Sequence, residues 1–167
     1  KAYVTSVTGY IPFGQRNRSL LGHSHGKFSP KVIELLRKKI LCLENQTTPS
    51  IEVSNNQNLS KLFIKRNSST RNITNTSEVE KMVKSYGCKI IEPEKLSFKE
   101  QVNTFKHADI IIGPTGAALV NTIFCRPGTR VLILMAKHEE MIYRFWSNML
   151  TPLGIKVIYI FCELDES

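Results

Sequence analysis

The sequence predicts an α/β fold, a Rossmann-like parallel sheet with helices on both faces. Two observations carry that reading. From Leu62 onward, short β-branched runs alternate with amphipathic stretches, each separated by Gly, Pro or polar turns, as βαβ units are. The run Asp109-Ile-Ile-Ile-Gly113 is apolar at successive positions, the mark of a central strand buried on both faces. Size and composition agree. The chain has 167 residues, 41% hydrophobic and 22% charged, which excludes a disordered or fibrous protein. A chain of this length buries roughly 70% of its unfolded surface in one core and leaves little room for a second complete domain.

In chain order, Tyr3 to Val7 reads as a strand, and Gly9 to Lys27 as a Gly- and basic-rich stretch. Ser29 to Leu43 reads as a helix, with Ser29 as cap and Pro30 in the first turn. Glu44 to Ser60, rich in Asn, Gln, Ser and Thr, is a polar connection. Strands are then expected at Leu62 to Lys65, Lys89 to Ile91, Asp109 to Gly113, Arg130 to Met135 and Lys156 to Phe161. Helices are expected between them, at Ser77 to Tyr86, Phe98 to His107, Gly116 to Phe124 and Glu139 to Leu150. Ser77 with Glu80 suits a capping box, Asn75 is an alternative cap, and Gly87 stands where a left-handed stop would fall. The domains implied are 1–44, part of or link to a further N-terminal domain; 45–60, a linker; and 61–167, the Rossmann-like unit. A start at Lys1 and an end at Ser167 soon after a strand-like run suggest part of a longer polypeptide.

Lys and Arg number 23 against 14 Asp and Glu, and the net charge of +9 favours an anionic partner: a phosphorylated ligand, a nucleic acid or an acidic membrane face. There is no RNA-binding motif, basic helix or aromatic platform, which argues against nucleic acid. No apolar run approaches the roughly 20 residues of a membrane span, and Lys1 begins no signal peptide, so the chain is expected to be soluble or peripheral. Cys42, Cys88, Cys125 and Cys162 form no CxxC, and each sits among apolar neighbours, as reduced core thiols do.

Two stretches could carry chemistry. In the first, the strand at Asp109 runs through Gly113-Pro-Thr-Gly116-Ala117 straight into a helix. Helix N-termini offer unpaired N–H groups, and glycine lets a phosphate approach the backbone. The spacing is neither GxGxxG nor a Walker loop, and a plain tight turn is the competing reading. In the second, Leu62-Phe-Ile-Lys-Arg66 empties into a polar loop ending at Arg71. Both stretches reach the carboxyl edge of the sheet, where open α/β sheets bind ligands, and Arg matches phosphate oxygens with paired donors.

The ordered series Phe63-Ile-Lys-Arg66, Arg71-x-x-x-Asn75-x-x-Glu78, Leu96-Ser-Phe-x-x-Gln101, Ala108-Asp-Ile-Ile-Ile-Gly113-Pro-Thr-Gly116-Ala117-Ala-Leu-x-Asn121-x-x-Phe124 and Pro127-Gly128-Thr resembles glycosyltransferase family 61, of a bacterial type. The likeness covers roughly Leu62 to Leu134. It implies the nucleotide-sugar-binding, carboxyl-terminal half of a GT-B enzyme. That enzyme would be inverting and metal-independent, with the donor as substrate and no cofactor. The acceptor would be a glycan or lipid-linked glycan in capsular or surface polysaccharide synthesis. On this resemblance Arg66, Arg71, Gly113, Thr115, Gly116 and Ala117 would meet donor phosphates, and Asn121 and Gln101 would brace the turn or touch the donor.

Many relatives carry His where this chain has Thr115, which cannot become cationic near neutral pH, and an acid where it has Ile133. A non-catalytic nucleotide-sugar-binding module is therefore the alternative. No base is assigned to the turn, and His25, in Leu-Gly-His23-Ser-His25-Gly, is a weak candidate elsewhere; with no third ligand nearby, the His pair is not read as a metal site. Tyr143, Phe145 and Trp146 read as a core aromatic cluster, and His107 and His138 as helix-end residues. Glycosylation sequons occur at Asn45, Asn58, Asn67, Asn72 and Asn75; in a secretory lumen those at Asn67 and Asn72 would put glycans directly beside Arg66 and Arg71, which points instead to a bacterial cytoplasm, with peripheral contact at the inner membrane face.

Overall fold

The structure, a computed structural model, describes residues 9–10, 27–47, 60–66, 73–137 and 144–163. Its centre is a five-stranded parallel sheet built from β3 (Lys61–Ile64), β4 (Lys89–Ile91), β5 (Ile110–Pro114), β6 (Arg130–Ala136) and β7 (Lys156–Cys162). The strands lie side by side in the order β4-β3-β5-β6-β7, with Leu62 opposite both Lys89 and Ile111, and Ile111 opposite Val131. A two-residue antiparallel pair, β1 (Gly9–Tyr10) with β2 (Lys27–Phe28), joins the two ends of the Gly- and basic-rich stretch. The strand expected at Tyr3 to Val7 lies outside the described residues.

Side chains alternate across a pleated strand, so β3, β4, β5 and β6 each feed two clusters. Leu62, Ile64, Ile91, Ile111, Val131, Ile133 and Met135 enter the larger one. Val102 and Phe105 of α3 (Phe98–Lys106) and Trp146, Met149 and Leu150 of α4 (Arg144–Leu150) join it, with Leu119, Ile123 and Phe124 of the segment after β5. Phe63, between Leu62 and Ile64, points the other way and meets Val83 and Val79 of α2 (Thr76–Ser85). At the β7 edge Ile158 and Ile160 stand exposed.

The five strands expected from Leu62 onward all form, Lys89–Ile91 with the expected bounds and the others within one residue of theirs. Asp109 lies just before β5 because its groups serve other loops. Its carboxylate accepts the Ser60 N–H at 2.8 Å and pairs with Arg126, and its carbonyl accepts the Arg130 N–H at 2.9 Å. Gly87 has φ +75° after α2, the left-handed stop the sequence suggests.

Three local expectations are corrected. The Ser77–Glu80 capping box does not form: α2 starts at Thr76 behind Asn75, whose side chain bonds Glu78 rather than the helix backbone, and Glu80 is drawn to Lys65 at 2.6 Å. Ala117–Phe124 is a 310 helix, not an α-helix. Val120, Thr122 and Ile123 are β-branched and crowd an α-turn, and the Thr122 hydroxyl donates to the Leu119 carbonyl at 2.5 Å, locking a tight i−3 turn. Of the four cysteines, Cys88 and Cys125 are buried, but Cys42 and Cys162 are exposed, because α1 (Pro30–Thr47) and the edge strand each keep a face toward solvent.

The helix expected at Ser29 to Leu43 forms and runs on past that end. Ile33, Ile40 and Leu41 pack on the larger cluster, and Arg37 donates to the Cys125 carbonyl at 2.7 Å. Burial pushes the Cys125 thiol up to about 12, despite that nearby cation.

Candidate functional site

The strand order fixes where a site can form. From β3 the chain crosses outward to β4, then returns past β3 to β5, so the loops leaving β3 and β5 diverge. Such a reversal opens a crevice at the carboxyl ends of the strands. Arg66 lies two residues beyond β3, and Gly113 to Ala117 end β5 and start the 310 helix, so both candidate stretches meet there.

The contact between them is direct. The Arg66 guanidinium donates from Nη1 to the Thr115 carbonyl at 2.8 Å. A Cβ on Gly116 would lie 3.0 Å from the same Nη1. Gly116 has φ 164°, extended backbone open to any residue, so its lack of a side chain serves the arginine lying over it. Gly113 is required by a different neighbour: a Cβ there would come within 2.9 Å of the Ile64 Cβ, so β3 and β5 approach closely because one of the two has no side chain.

Thr115 is held from three elements. Its N–H donates to the Leu134 carbonyl of β6 at 2.9 Å, its carbonyl accepts from Arg66, and its hydroxyl oxygen accepts the Trp146 indole N–H of α4 at 3.1 Å. Trp146 is buried and packs edge-on against Phe145, with ring centres 4.9 Å apart, and Phe145 meets Phe28 in the same manner at 5.1 Å. This part of the expected aromatic cluster is core; Tyr143 lies outside the described residues.

Past the turn, the Gly116 carbonyl accepts from the Leu119 N–H at 3.1 Å, so the N–H groups of Ala117 and Ala118 precede the first bond of the 310 helix. Asn121 donates through Nδ2 to Gln101 Oε1 at 2.8 Å, and Gln101 donates through Nε2 to the Leu96 carbonyl at 3.0 Å. This relay ties the 310 helix to α3. Lys65, beside Arg66, is tied to Glu80. Their hydrogen bond and mutual attraction hold the Glu80 carboxyl below its ordinary range and the Lys65 ammonium above.

Arg66, Gly113, Thr115, Gly116 and Ala117 are thus gathered at one crevice, with Gln101 and Asn121 paired behind it. Arg71 and His25 lie outside the described residues, as does His138. His107 sits at the end of α3, its Nδ1 2.9 Å from the Asn103 carbonyl. Sequence reasoning missed the polar role of Trp146; the available signal was that a buried indole N–H needs an acceptor. Among the described residues no group of three or more His, Cys, Asp or Glu side chains is placed to hold a metal ion, and no helix is long and apolar enough to cross a membrane.

A cation and preceding backbone N–H groups at a strand-to-helix turn suit a charged phosphoryl group. The family model described as Glycosyltransferase 61 matches residues 17–132, a stretch that runs from before α1 into β6 and holds β3, β5, α3 and the 310 helix but ends before Leu134 and α4. Comparison with curated proteins finds no match.

Proposed function

Since the chain belongs to glycosyltransferase family 61 and is a glycosyltransferase, we propose that it transfers a sugar from a nucleotide-sugar donor to a glycan hydroxyl with inversion and without a metal. Residues 61–167, with α1 packed on their sheet, would be the donor half of a GT-B enzyme, and the chain before α1 would belong to or lead from the acceptor half. The observation that carries the reading is the Arg66 guanidinium bonded across the crevice to Thr115, over a glycine that leaves room for it.

The chemistry follows from charge. The acceptor oxygen attacks the anomeric carbon, the bond from that carbon to the β-phosphate oxygen breaks, and the diphosphate leaves with the electron pair. Arg66, joined by Arg71, and the N–H groups of Ala117 and Ala118 stabilise that developing charge without reorganising. The acceptor proton goes to a base on the opposite face, within hydrogen-bond reach of the hydroxyl. His25 is the proposed candidate in this chain. Thr115, where relatives carry His, is not a base.

The +9 charge favours the anionic donor and supports peripheral contact with an acidic membrane face. Sequons at Asn67 and Asn72, each directly after one of the two arginines, favour a compartment that does not glycosylate them, a bacterial cytoplasm, and thus synthesis of capsular or surface polysaccharide.

Thermal-shift titration against uridine, guanosine, cytidine and thymidine diphosphates, with EDTA and with magnesium, tests the proposal. A diphosphate that stabilises the protein equally in both conditions is expected, because a ligand of the folded state alone raises its apparent stability. Arg66→Ala should weaken that ligand roughly 10- to 100-fold, the loss of charge-assisted hydrogen bonds. Unchanged affinity in Arg66→Ala would remove the assigned phosphate site, and stabilisation only with magnesium would remove metal independence.

A further inference from the structure

Thr115 offers three polar groups, and three elements take them in a definite sense. The N–H is spent on Leu134, the carbonyl on Arg66, and the hydroxyl oxygen accepts from Trp146. An indole N–H donates and never accepts, whereas a threonine hydroxyl does either. The bond therefore removes the ambiguity. With the indole hydrogen occupying one side of Oγ1, the hydroxyl's own hydrogen is turned away from Trp146. No described residue accepts it. Thr115 is half-buried, and Arg66 already places a positive charge over it.

We infer that Trp146 is a positioning residue that makes Thr115 a dedicated hydrogen-bond donor to a diphosphate oxygen of the nucleotide. The inference rests on the reading of this turn as the donor-phosphate site. It gives a place in the reaction to a residue 31 positions beyond the turn and to a hydroxyl that has no basic or cationic chemistry of its own. An oxygen that gains charge as the glycosidic bond breaks takes a stronger hydrogen bond than the ground-state oxygen. Loss of the oriented hydroxyl should then reduce kcat more than it raises KM.

Trp146 is the only tryptophan, so its indole N–H gives a single, self-assigning NMR signal. In the ligand-free protein, Thr115→Val should shift that signal and speed its exchange with solvent, while Thr115→Ser should leave both near wild type. In titrations with the four nucleoside diphosphates and with inorganic pyrophosphate, Thr115→Val and Trp146→Phe should each weaken the best-bound probe roughly tenfold, the low end for one hydrogen bond to a charged group. The double variant should lose no more than the worse single one, and Thr115→Ser should stay within about twofold of wild type. Trp146→Phe removes a buried donor without stranding one, so a fall in its melting temperature with unchanged affinity would mean a packing role only and would overturn the inference. Additive losses would overturn it too. If Arg66→Ala abolishes binding while Thr115→Val does not, the phosphate site stands and the inference falls; if neither variant changes probe binding, both fall together.

Discussion

Gly113 and Gly116 stand three residues apart, and each is glycine on account of one neighbour. At Gly113 the obstacle is the Ile64 Cβ, which is fixed to its backbone and cannot swing aside, so Gly113→Ala must push β5 from β3. The expected cost is about 1–3 kcal/mol, read as a fall in melting temperature of roughly 2–4 °C per kcal/mol for a chain of this size. At Gly116 the obstacle is the end of a flexible arginine side chain. Gly116→Ala should therefore spare the melting temperature and weaken diphosphate binding, because what moves is Arg66. Equal loss of stability in both would show that the arginine is as fixed as the strand. The sequence marks both glycines as places for close approach, but spacing alone could not separate strand packing from space for a guanidinium. Trp146 was less legible still, since its partner lies in a different βα unit and only the folded sheet brings α4 over the turn.

Two stretches carry the S/T-x-x-E pattern at a helix start, Ser77 to Glu80 and Ser97 to Glu100, and only the second forms the box. There the Ser97 N–H donates to Glu100 Oε2 at 2.8 Å and the Glu100 N–H returns to Ser97 Oγ at 3.3 Å. In the first, Glu80 is captured across the loop by Lys65, a tertiary partner that no local pattern reveals. Ser97→Ala is expected to cost about 1 kcal/mol, and Ser77→Ala nothing resolvable. A denaturant series on the two variants separates them. The same limit explains the 310 helix at Ala117–Phe124. Apolar periodicity located the element, but its tighter winding depends on crowding of β-branched residues in a buried setting. Strand existence was legible from β-branched runs; strand order was not, because it depends on which pairs of strands meet.

Across the whole sheet, the amino end is organised around Asp109 as the carboxyl end is around Thr115. Burial pushes the Asp109 carboxyl up, but the Ser60 N–H, Arg126 and the charge of Arg130 outweigh it and hold it below its ordinary value of 3.8. The unfolded chain therefore takes up a proton at higher pH than the folded one. The stabilisation is complete well above 3.8, starts to fade as pH falls past that value, and is gone below the lowered folded value. Asp109→Asn should be less stable than wild type at neutral pH, by roughly 1–3 kcal/mol, and the gap should close as acid is added. Parallel stability curves for the two proteins across that window would show that the clamp is not a titrating one. Asp109 was expected as the first residue of the strand because it begins an apolar run; its bonds to three other segments are tertiary and have no local signature.

The placement of α1 has a bearing on how this molecule can be divided. Its Ile33, Ile40 and Leu41 lie on the principal cluster, and Arg37 reaches the carbonyl of Cys125, just past the 310 helix that carries Asn121. The chain between Thr47 and Ser60 therefore joins a helix to a sheet on which that helix already rests. A cut there would part α1 from the core it covers and from the carboxyl end of the 310 helix. In any exchange of halves between related enzymes, the helix would have to travel with the sheet although it lies on the far side of the linker. The seam between inherited modules, where there is one, is better sought before Phe28 than after Thr47.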